Sequence, residues 1–291
     1  MGVDAEGVKP LMQTGSALPW PRQWPTHPTP LMVLSVVIPA GFALSVLVDL
    51  VARPGWRDPV DTFVSVAGVA YLAVVLGGSG TFLLRIRPGR RRKAIASDVI
   101  GAERGVRVPY SAFLYGWVVT LMAISFVGFA ALLPGMLIEP KLTDHALALP
   151  AAVVGLVAIP FCGWFLIDIV RGRIERGYIL LTPQGVHHRS ALLEEYLPWE
   201  SIVRVSAANQ QGPMIILDVA ANGVRRRFTS RVTLHRSPPP GPAKISCRTL
   251  ATDPALAYDA LVFYRTHPAA RAELAGDAGM KRIRRGDLVV K

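Results

Sequence analysis

Four long stretches without any charged side chain constrain the fold of this 291-residue chain more than any other feature. These stretches are residues 31–48, 62–84, 111–138 and 146–167. Crossing about 30 Å of hydrocarbon takes roughly 20 helical residues, so each stretch is long enough for one membrane-spanning helix. About 30 residues precede the first stretch, which argues against a cleaved signal peptide. The sequence therefore predicts an N-terminal cytoplasmic tail at 1–30 and a four-helix transmembrane domain at 31–170.

The distribution of Lys and Arg predicts how these helices are oriented. The segment 85–110 contains eight basic residues: Arg85, Arg87, Arg90, Arg91, Arg92, Lys93, Arg104 and Arg107. The connection after the first span has only Arg53 and Arg57, and the connection after the third has only Lys141. Because basic residues are enriched in cytoplasmic loops, the basic loop 85–110 should be cytoplasmic. We therefore expect a multi-pass protein of the inner membrane with both termini in the cytoplasm.

The basic charge is concentrated on this cytoplasmic side. Residues 171–291 contain 19 Lys and Arg against 10 Asp and Glu. The orientation rule explains this surplus without a further function, and the alternative is binding of anionic lipid headgroups or a protein partner. The candidate contact residues are Arg85, Arg87, Arg90, Arg91, Arg92, Lys93, Arg225 and Arg227. No nucleic-acid motif accompanies the charge, so we expect no nucleic-acid partner.

Small residues in the second span indicate close helix packing. Ala73 and Gly77 have the four-residue spacing that lets two helix backbones approach each other. Their face should pack on a neighbouring helix, either within this chain or in a partner such as a second copy. The cluster at 77–80 is glycine-rich, but no Lys-Ser or Lys-Thr follows it and no strand precedes it. It is therefore not interpreted as a phosphate-binding loop.

Ionisable residues lie only at the ends of the spans. Asp49 ends the first span, and Asp168 lies three residues before Arg171 at the end of the fourth. Side chains at this spacing meet on a helix, so Asp168 and Arg171 should form an ion pair at the membrane boundary. Coupled transport normally requires ionisable groups near the membrane centre, so it is disfavoured. A transport component that handles an apolar or lipid substrate remains the alternative function.

Short alternating segments follow Arg176 and predict a β domain. The strands include residues 178–182 and 186–190, and a hairpin is expected where Asn222-Gly223 separates residues 214–220 from 224–229. Asp253 and Pro254 are typical of a helix N-cap and first turn, so a closing helix should run to about residue 265. Trp199 should lie in the core. The fold class is therefore α+β, with a four-helix transmembrane bundle, a cytoplasmic domain at 171–275 and a basic tail at 276–291.

Two segments of this region resemble a known family. The run from Tyr178 to Val186, with Leu-Thr-Pro-Gln-Gly inside it, and the later Leu-Pro-Trp-Glu-Ser-Ile at 197–202 resemble the start of bacterial pleckstrin-homology-like domains. The segment 253–274 is similar to uncharacterised actinobacterial membrane proteins that carry this domain. The resemblance implies a pleckstrin-homology-like binding module without a catalytic centre, and it names no ligand.

The sequence also lacks the motifs of familiar enzymes. It has no nucleophile elbow, no zinc-protease helix motif and no phosphate loop followed by Lys. His187 and His188 are adjacent on a predicted strand, so they should point to opposite faces and not form a metal site. Cys162 and Cys247 give no disulfide framework. We therefore expect no catalytic residue, cofactor or metal, and a non-catalytic scaffold or accessory subunit that binds a protein partner or anionic lipid headgroups.

Overall fold

A computed structural model describes residues 20–24, 71–78, 95–100, 103–138, 148–210, 212–220, 223–230 and 240–288, together with individual positions between 30 and 81. Within these ranges the chain is a mixed α+β structure with two long apolar helices and two antiparallel sheets. The predicted mixed fold class is therefore confirmed.

The two long helices match the third and fourth predicted spans. Helix α1 comprises Ala112–Ile138 and helix α2 comprises Ala148–Val170. Both are long and apolar enough to cross a membrane, and only 11% and 17% of their most apolar windows are buried within the chain. The helices pack on each other, and Gly163 of α2 lies against the ring of Phe126 in α1. Among the described side chains, large apolar residues of both helices are exposed, including Phe113, Val127, Leu156 and Phe161.

The first two predicted spans lie largely outside the described residues, apart from individual helical positions and the helical stretch 71–78. This stretch contacts Trp117 of α1 at Gly78 and Val74. Gly78 is buried, and a Cβ atom at Gly78 would overlap the indole ring of Trp117. The Trp117 indole also donates a hydrogen bond to the carbonyl oxygen of Val74 at 2.6 Å. Gly78 therefore provides the space into which Trp117 packs.

The strands form a six-stranded and a three-stranded sheet, and every neighbouring pair is antiparallel. The strands in chain order are β1 (Ala96–Ile100), β2 (Glu103–Pro109), β3 (Tyr178–Leu181), β4 (Gly185–Arg189), β5 (Leu193–Pro198), β6 (Ile202–Asn209), β7 (Pro213–Val219), β8 (Arg225–Phe228) and β9 (Ala243–Ser246). The larger sheet has the order β1-β2-β3-β4-β5-β8, and the smaller has the order β6-β7-β9.

Two strands of the larger sheet, β1 and β2, lie within residues 85–110, the segment predicted to be a basic loop. Val106 and Val108 are buried and alternate with the half-buried Arg107 and Pro109, which is the period of a strand. The high charge of residues 85–110 concealed this pattern. The sheet domain therefore begins before residue 171, and α1 and α2 form a helical hairpin inserted between the neighbouring strands β2 and β3.

The two sheets and a closing helix enclose one hydrophobic core. Helix α3 comprises Pro254–Thr266, and the side chain of Asp253 caps it by accepting a hydrogen bond from the Ala255 amide at 3.0 Å. The closing helix and its N-cap are confirmed. Trp199 is only 1% exposed, and its indole donates to the carbonyl oxygen of Thr182 at 2.8 Å. Its predicted position in the core is confirmed as well.

The hairpin predicted at Asn222-Gly223 was wrong. Strand β7 pairs with β6 and β9, whereas β8 pairs with β5 in the other sheet. Gly223 does adopt a positive φ of 78°, as a turn there requires. The chain therefore passes from one sheet to the other between β7 and β8. In the larger sheet, the arginines of β8 form ion pairs with glutamates of β5.

Two segments from the predicted tails, residues 20–24 and 277–285, pack on the sheet domain. Residues 277–285 of the predicted basic tail form helix α4 (Asp277–Arg285), with Ile283 fully buried, so that part of the tail is an element of the fold. In the predicted N-terminal tail, Trp24 is 3% exposed and its indole donates to the carbonyl oxygen of Met214 at 3.1 Å. The ring of Trp24 also makes an edge contact with Tyr258. The N-terminal segment therefore contributes to the core.

Candidate functional site

The larger sheet has one face in the core and an outer face that is partly open to solvent. Directly paired residues of antiparallel strands point to the same side, so the outer face can be derived from the register. One row across this outer face contains Tyr178, Arg189, Glu194 and Arg227. The next row contains Leu180, His187, Tyr196 and Arg225. The first row lies at the strand ends next to α1 and α2, because Tyr178 also pairs with Pro109 at the end of β2.

A groove of about 600 Å³ opens on this face. We call it the outer groove, and it is lined by Glu103, His187, Glu194, Tyr196, Arg225, Arg226 and Arg227. Its residues come from β2, β4, β5 and β8, which are brought together only by the sheet pairing.

Most charges in the outer groove are already paired. Arg227 contacts the Glu194 carboxylate at 2.7 Å, and the His187 ring contacts the Glu103 carboxylate at 3.2 Å. Arg225 is exposed and forms no ion pair with any residue in the described part of the chain. It is the cation of this groove that is available to a ligand.

An aromatic surface lies beside Arg225. The rings of Tyr196 and His187 are 4.5 Å apart between centroids. Burial, together with the nearby carboxylates of Glu103 and Glu200, raises the pKa of Tyr196, so its phenol keeps its proton at neutral pH. The groove therefore offers a hydroxyl group and a flat ring next to one free guanidinium group.

A chain of buried polar side chains lies directly beneath the groove, on the core side of the same strands. The Tyr110 hydroxyl is 2.7 Å from Nε2 of His188, and Nδ1 of His188 is 2.9 Å from the Glu195 carboxylate. The other oxygen of Glu195 is 2.8 Å from Nε of Arg226. Burial raises the pKa of Tyr110 well above its usual range, so this hydroxyl retains its hydrogen as a donor. This series of polar contacts connects Tyr110, two residues before the start of α1, to the edge strand β8.

Five arginines surround the point where α1 and α2 leave the sheet, and we call them the arginine collar. They are Arg171, Arg173, Arg176, Arg189 and Arg227. The Arg176 side chain donates to the carbonyl oxygen of Tyr110 at 2.5 Å, and burial together with Arg107 lowers its pKa. Arg189 donates to the carbonyl oxygen of Gly172 at 3.2 Å and contacts Glu175 at 3.4 Å.

The predicted ion pair of Asp168 has a different partner. Asp168 is completely buried and pairs with Arg173 at 3.2 Å, so the assignment to Arg171 was wrong. The helix ends at Val170 and Gly172 adopts a positive φ of 65°, which turns Arg173 back towards Asp168. Arg171 remains exposed. The hydroxyl of Ser230, which follows β8, also contacts Asp168 at 2.5 Å and ties the end of α2 to the sheet.

The structure places the sequence-derived candidates in three different settings. Arg225 and Arg227 both line the outer groove. Ala73 and Gly77 are exposed, and a Cβ atom at Gly77 would meet nothing within 4 Å, so Gly78 makes the contact with α1. The candidates Arg85, Arg87, Arg90, Arg91, Arg92 and Lys93 lie outside the described residues.

Sequence reasoning missed His187, Tyr196, Arg176 and Arg189 as members of these two surfaces. The sequence predicts a strand at residues 186–190 but none at β5, and the register that places His187 beside Tyr196 and Arg225 is a property of the pairing. His187 and His188 do point to opposite faces, as predicted, because each contacts a different glutamate. Within the described ranges, no group of three or more His, Cys, Asp or Glu residues has a geometry that could hold a metal ion.

Comparisons with family models, with curated proteins and with solved structures gave no match for this chain. The resemblance to bacterial pleckstrin-homology-like domains therefore stays a prediction from the sequence. The function must be argued from the geometry of the outer groove and the arginine collar.

Proposed function

We propose that this protein is a non-catalytic scaffold or accessory subunit of the inner membrane, and that its cytoplasmic sheet domain binds a protein partner at the outer groove. The observation that carries this proposal is the state of Arg225. Its neighbours Arg226 and Arg227 each have a carboxylate partner, whereas Arg225 is exposed with no ion pair in the described part of the chain. An arginine without an ion pair among the described residues, beside a half-buried aromatic pair, is a composition typical of protein-binding surfaces.

The distance of Arg225 from helices α1 and α2 favours a protein over a lipid headgroup as its ligand. Arg227 shares a row with Tyr178, whose strand partner Pro109 is three residues before the start of α1. Arg225 lies two residues further along β8, which is about 7 Å further from the membrane helices. A headgroup layer is only about 5–8 Å thick on each side of the hydrocarbon. Arg225 therefore faces the aqueous side of the domain.

The groove also limits the chemistry of the partner. A carboxylate on the partner would satisfy Arg225, and the planar guanidinium group favours a bidentate contact with it. Glu103, the other acidic residue in the same part of the groove, is only partly neutralised by His187. The surface therefore fits a protein segment with one acidic residue and an adjacent apolar or aromatic side chain over Tyr196, and a strongly polyanionic ligand fits it less well.

Several contacts support the membrane anchoring that this proposal requires. The apolar helices α1 and α2 both join the sheet domain, so the hairpin would cross the membrane twice and return to the same side. Trp24 packs in the core of the same domain, seven residues before the first predicted span. This arrangement agrees with both termini on one side of the membrane. The packing of Trp117 against Gly78 supports a structural use of the glycine cluster rather than an open transport path.

The test replaces Arg225 by Glu in the full-length protein in its native membrane, with Arg204→Glu as the matched control. Arg204 is 71% exposed but lies on β6 in the other sheet. With a photo-crosslinking amino acid placed at Glu194, which lines the outer groove, we expect one defined cross-linked protein, and we expect Arg225→Glu to reduce its yield at least tenfold. Arg204→Glu should leave the yield unchanged. An equal yield in all three proteins would contradict binding at the outer groove.

A further inference from the structure

The arginine collar lies at the height of the lipid headgroups if α1 and α2 cross the membrane. Arg171 directly follows Val170, the last residue of α2, and both are exposed. Arg189 and Arg227 lie in the row of the outer face that is closest to the two helices. The contact between Ser230 and Asp168 fixes the end of β8 beside the end of α2. Five guanidinium groups are thus collected at one boundary by three separate parts of the chain.

The carboxylates of this region do not neutralise the collar. Asp168 is buried and forms an ion pair with Arg173. Glu175 contacts Arg189, and Glu194 contacts Arg227. Arg171 has no ion pair among the described residues, and Arg176 uses its Nε–H group for the carbonyl oxygen of Tyr110. Five arginines against three acidic residues leave an excess of positive charge at the membrane surface.

The composition of the collar matches one class of ligand. Arginine is preferred over lysine for phosphate because its planar fork donates two parallel hydrogen bonds. An arginine close to an anionic leaflet also gains a favourable electrostatic free energy, which is additive to a first approximation over several residues. The long side chains of Arg171 and Arg227 can extend along the interface while their stems contact apolar surface.

We infer that the arginine collar binds the phosphate group of anionic phospholipids, and that this contact seats the sheet domain against the inner leaflet. The inference rests on the membrane anchoring proposed above but not on the outer groove. A lipid phosphate and a free phosphate ion offer the same hydrogen-bond acceptors, so the experiment must distinguish these two ligands.

The experiment uses the full-length protein in an uncharged detergent and measures its thermal unfolding midpoint. Phosphatidylglycerol, phosphatidylcholine and inorganic phosphate are titrated separately, because a ligand that binds the folded state raises the midpoint with its concentration. We expect phosphatidylglycerol alone to raise the midpoint, and 0.5 M NaCl to weaken the effect. The double variant Arg171→Gln/Arg227→Gln should need at least tenfold more of this lipid for the same shift.

Arg204→Gln is the matched control for this variant. Arg204 contacts Asp218 at 2.7 Å, just as Arg227 contacts Glu194 at 2.7 Å, and both arginines are more than two-thirds exposed. The control should respond to phosphatidylglycerol like the unmodified protein. An equal response of the double variant, or an equal effect of phosphatidylcholine, would overturn the inference. The same shift with inorganic phosphate alone would assign the collar to free phosphate and overturn the lipid assignment.

A separate measurement distinguishes this inference from the proposal on which it rests. Membranes that contain the full-length protein are washed with alkaline carbonate, which removes proteins without a membrane-spanning segment. Release of the protein would contradict the anchoring and the lipid site together. Retention of the protein without selectivity for phosphatidylglycerol would contradict the lipid site alone.

Discussion

Replacing Gly78 by Leu is expected to destabilise the packing of the apolar helices by about 3 kcal/mol, the upper end of the usual cost of overpacking. Even the first carbon of a side chain at Gly78 would overlap the indole ring of Trp117. The ring would have to leave its position, and it would then lose its hydrogen bond to the carbonyl oxygen of Val74. With the membrane anchoring proposed above, that carbonyl and the indole N–H group would have few other partners.

The neighbouring residue supplies the control for this prediction. Gly77→Leu adds the same side chain one position earlier, where a Cβ atom would meet nothing within 4 Å. Thermal unfolding of the two purified variants in detergent should give a lower midpoint for Gly78→Leu only. Similar midpoints for both variants would contradict the packing described for residues 71–78. If Gly77→Leu unfolds normally but changes the oligomeric state, the face with Ala73 and Gly77 is a contact with another chain.

Replacing Glu195 by Ala should destabilise the sheet domain by about 3–5 kcal/mol, because removing one member of a buried ion pair leaves its partner charged and unpaired. Glu195 is 3% exposed and contacts both His188 and Arg226, whose side chain is 12% exposed. Its loss also removes the acceptor that orients the His188 ring towards Tyr110. Chemical denaturation of the full-length protein, followed by tryptophan fluorescence, measures this change.

Glu194 is the matched control, since it precedes Glu195 on the same strand and points to the opposite face. It is 27% exposed and pairs with Arg227, which is 75% exposed. Exposed ion pairs contribute only about 0–1 kcal/mol, so Glu194→Ala should change the free energy of unfolding within that range. A loss for Glu194→Ala as large as that for Glu195→Ala would show that the buried polar chain has no special role in stability.

The parts of the fold that depend on local sequence could be predicted. Apolar runs without charge located α1 and α2, because a membrane-length helix is defined by consecutive residues. Asp253 and Pro254 located the start of α3, because capping involves only neighbouring residues. Trp199 was assigned to the core from its size alone.

The parts that depend on distant pairing could not be predicted. Strand β2 pairs with β1 on one side and with β3 on the other, and β3 follows some 70 residues later. Nothing in the composition of 85–110 indicates this second partner. Asn222-Gly223 predicts a hairpin because it is a local turn motif. The prediction failed because the strand that pairs with β8 is β5, which is distant in the sequence. The outer groove and the arginine collar follow from the same register, so only Arg225 and Arg227 were identified in advance.

The insertion of α1 and α2 between two paired strands determines an order of events during synthesis. Val106 pairs with Leu181, so the edge of β2 remains without its neighbour until translation has passed both hydrophobic helices. By then the hairpin α1–α2 has already emerged from the ribosome and is available to the insertion machinery. Closure of the larger sheet is therefore a late step of biogenesis that occurs only after both helices have been made, and with the membrane anchoring proposed above it would link maturation of the sheet domain to insertion of the hairpin.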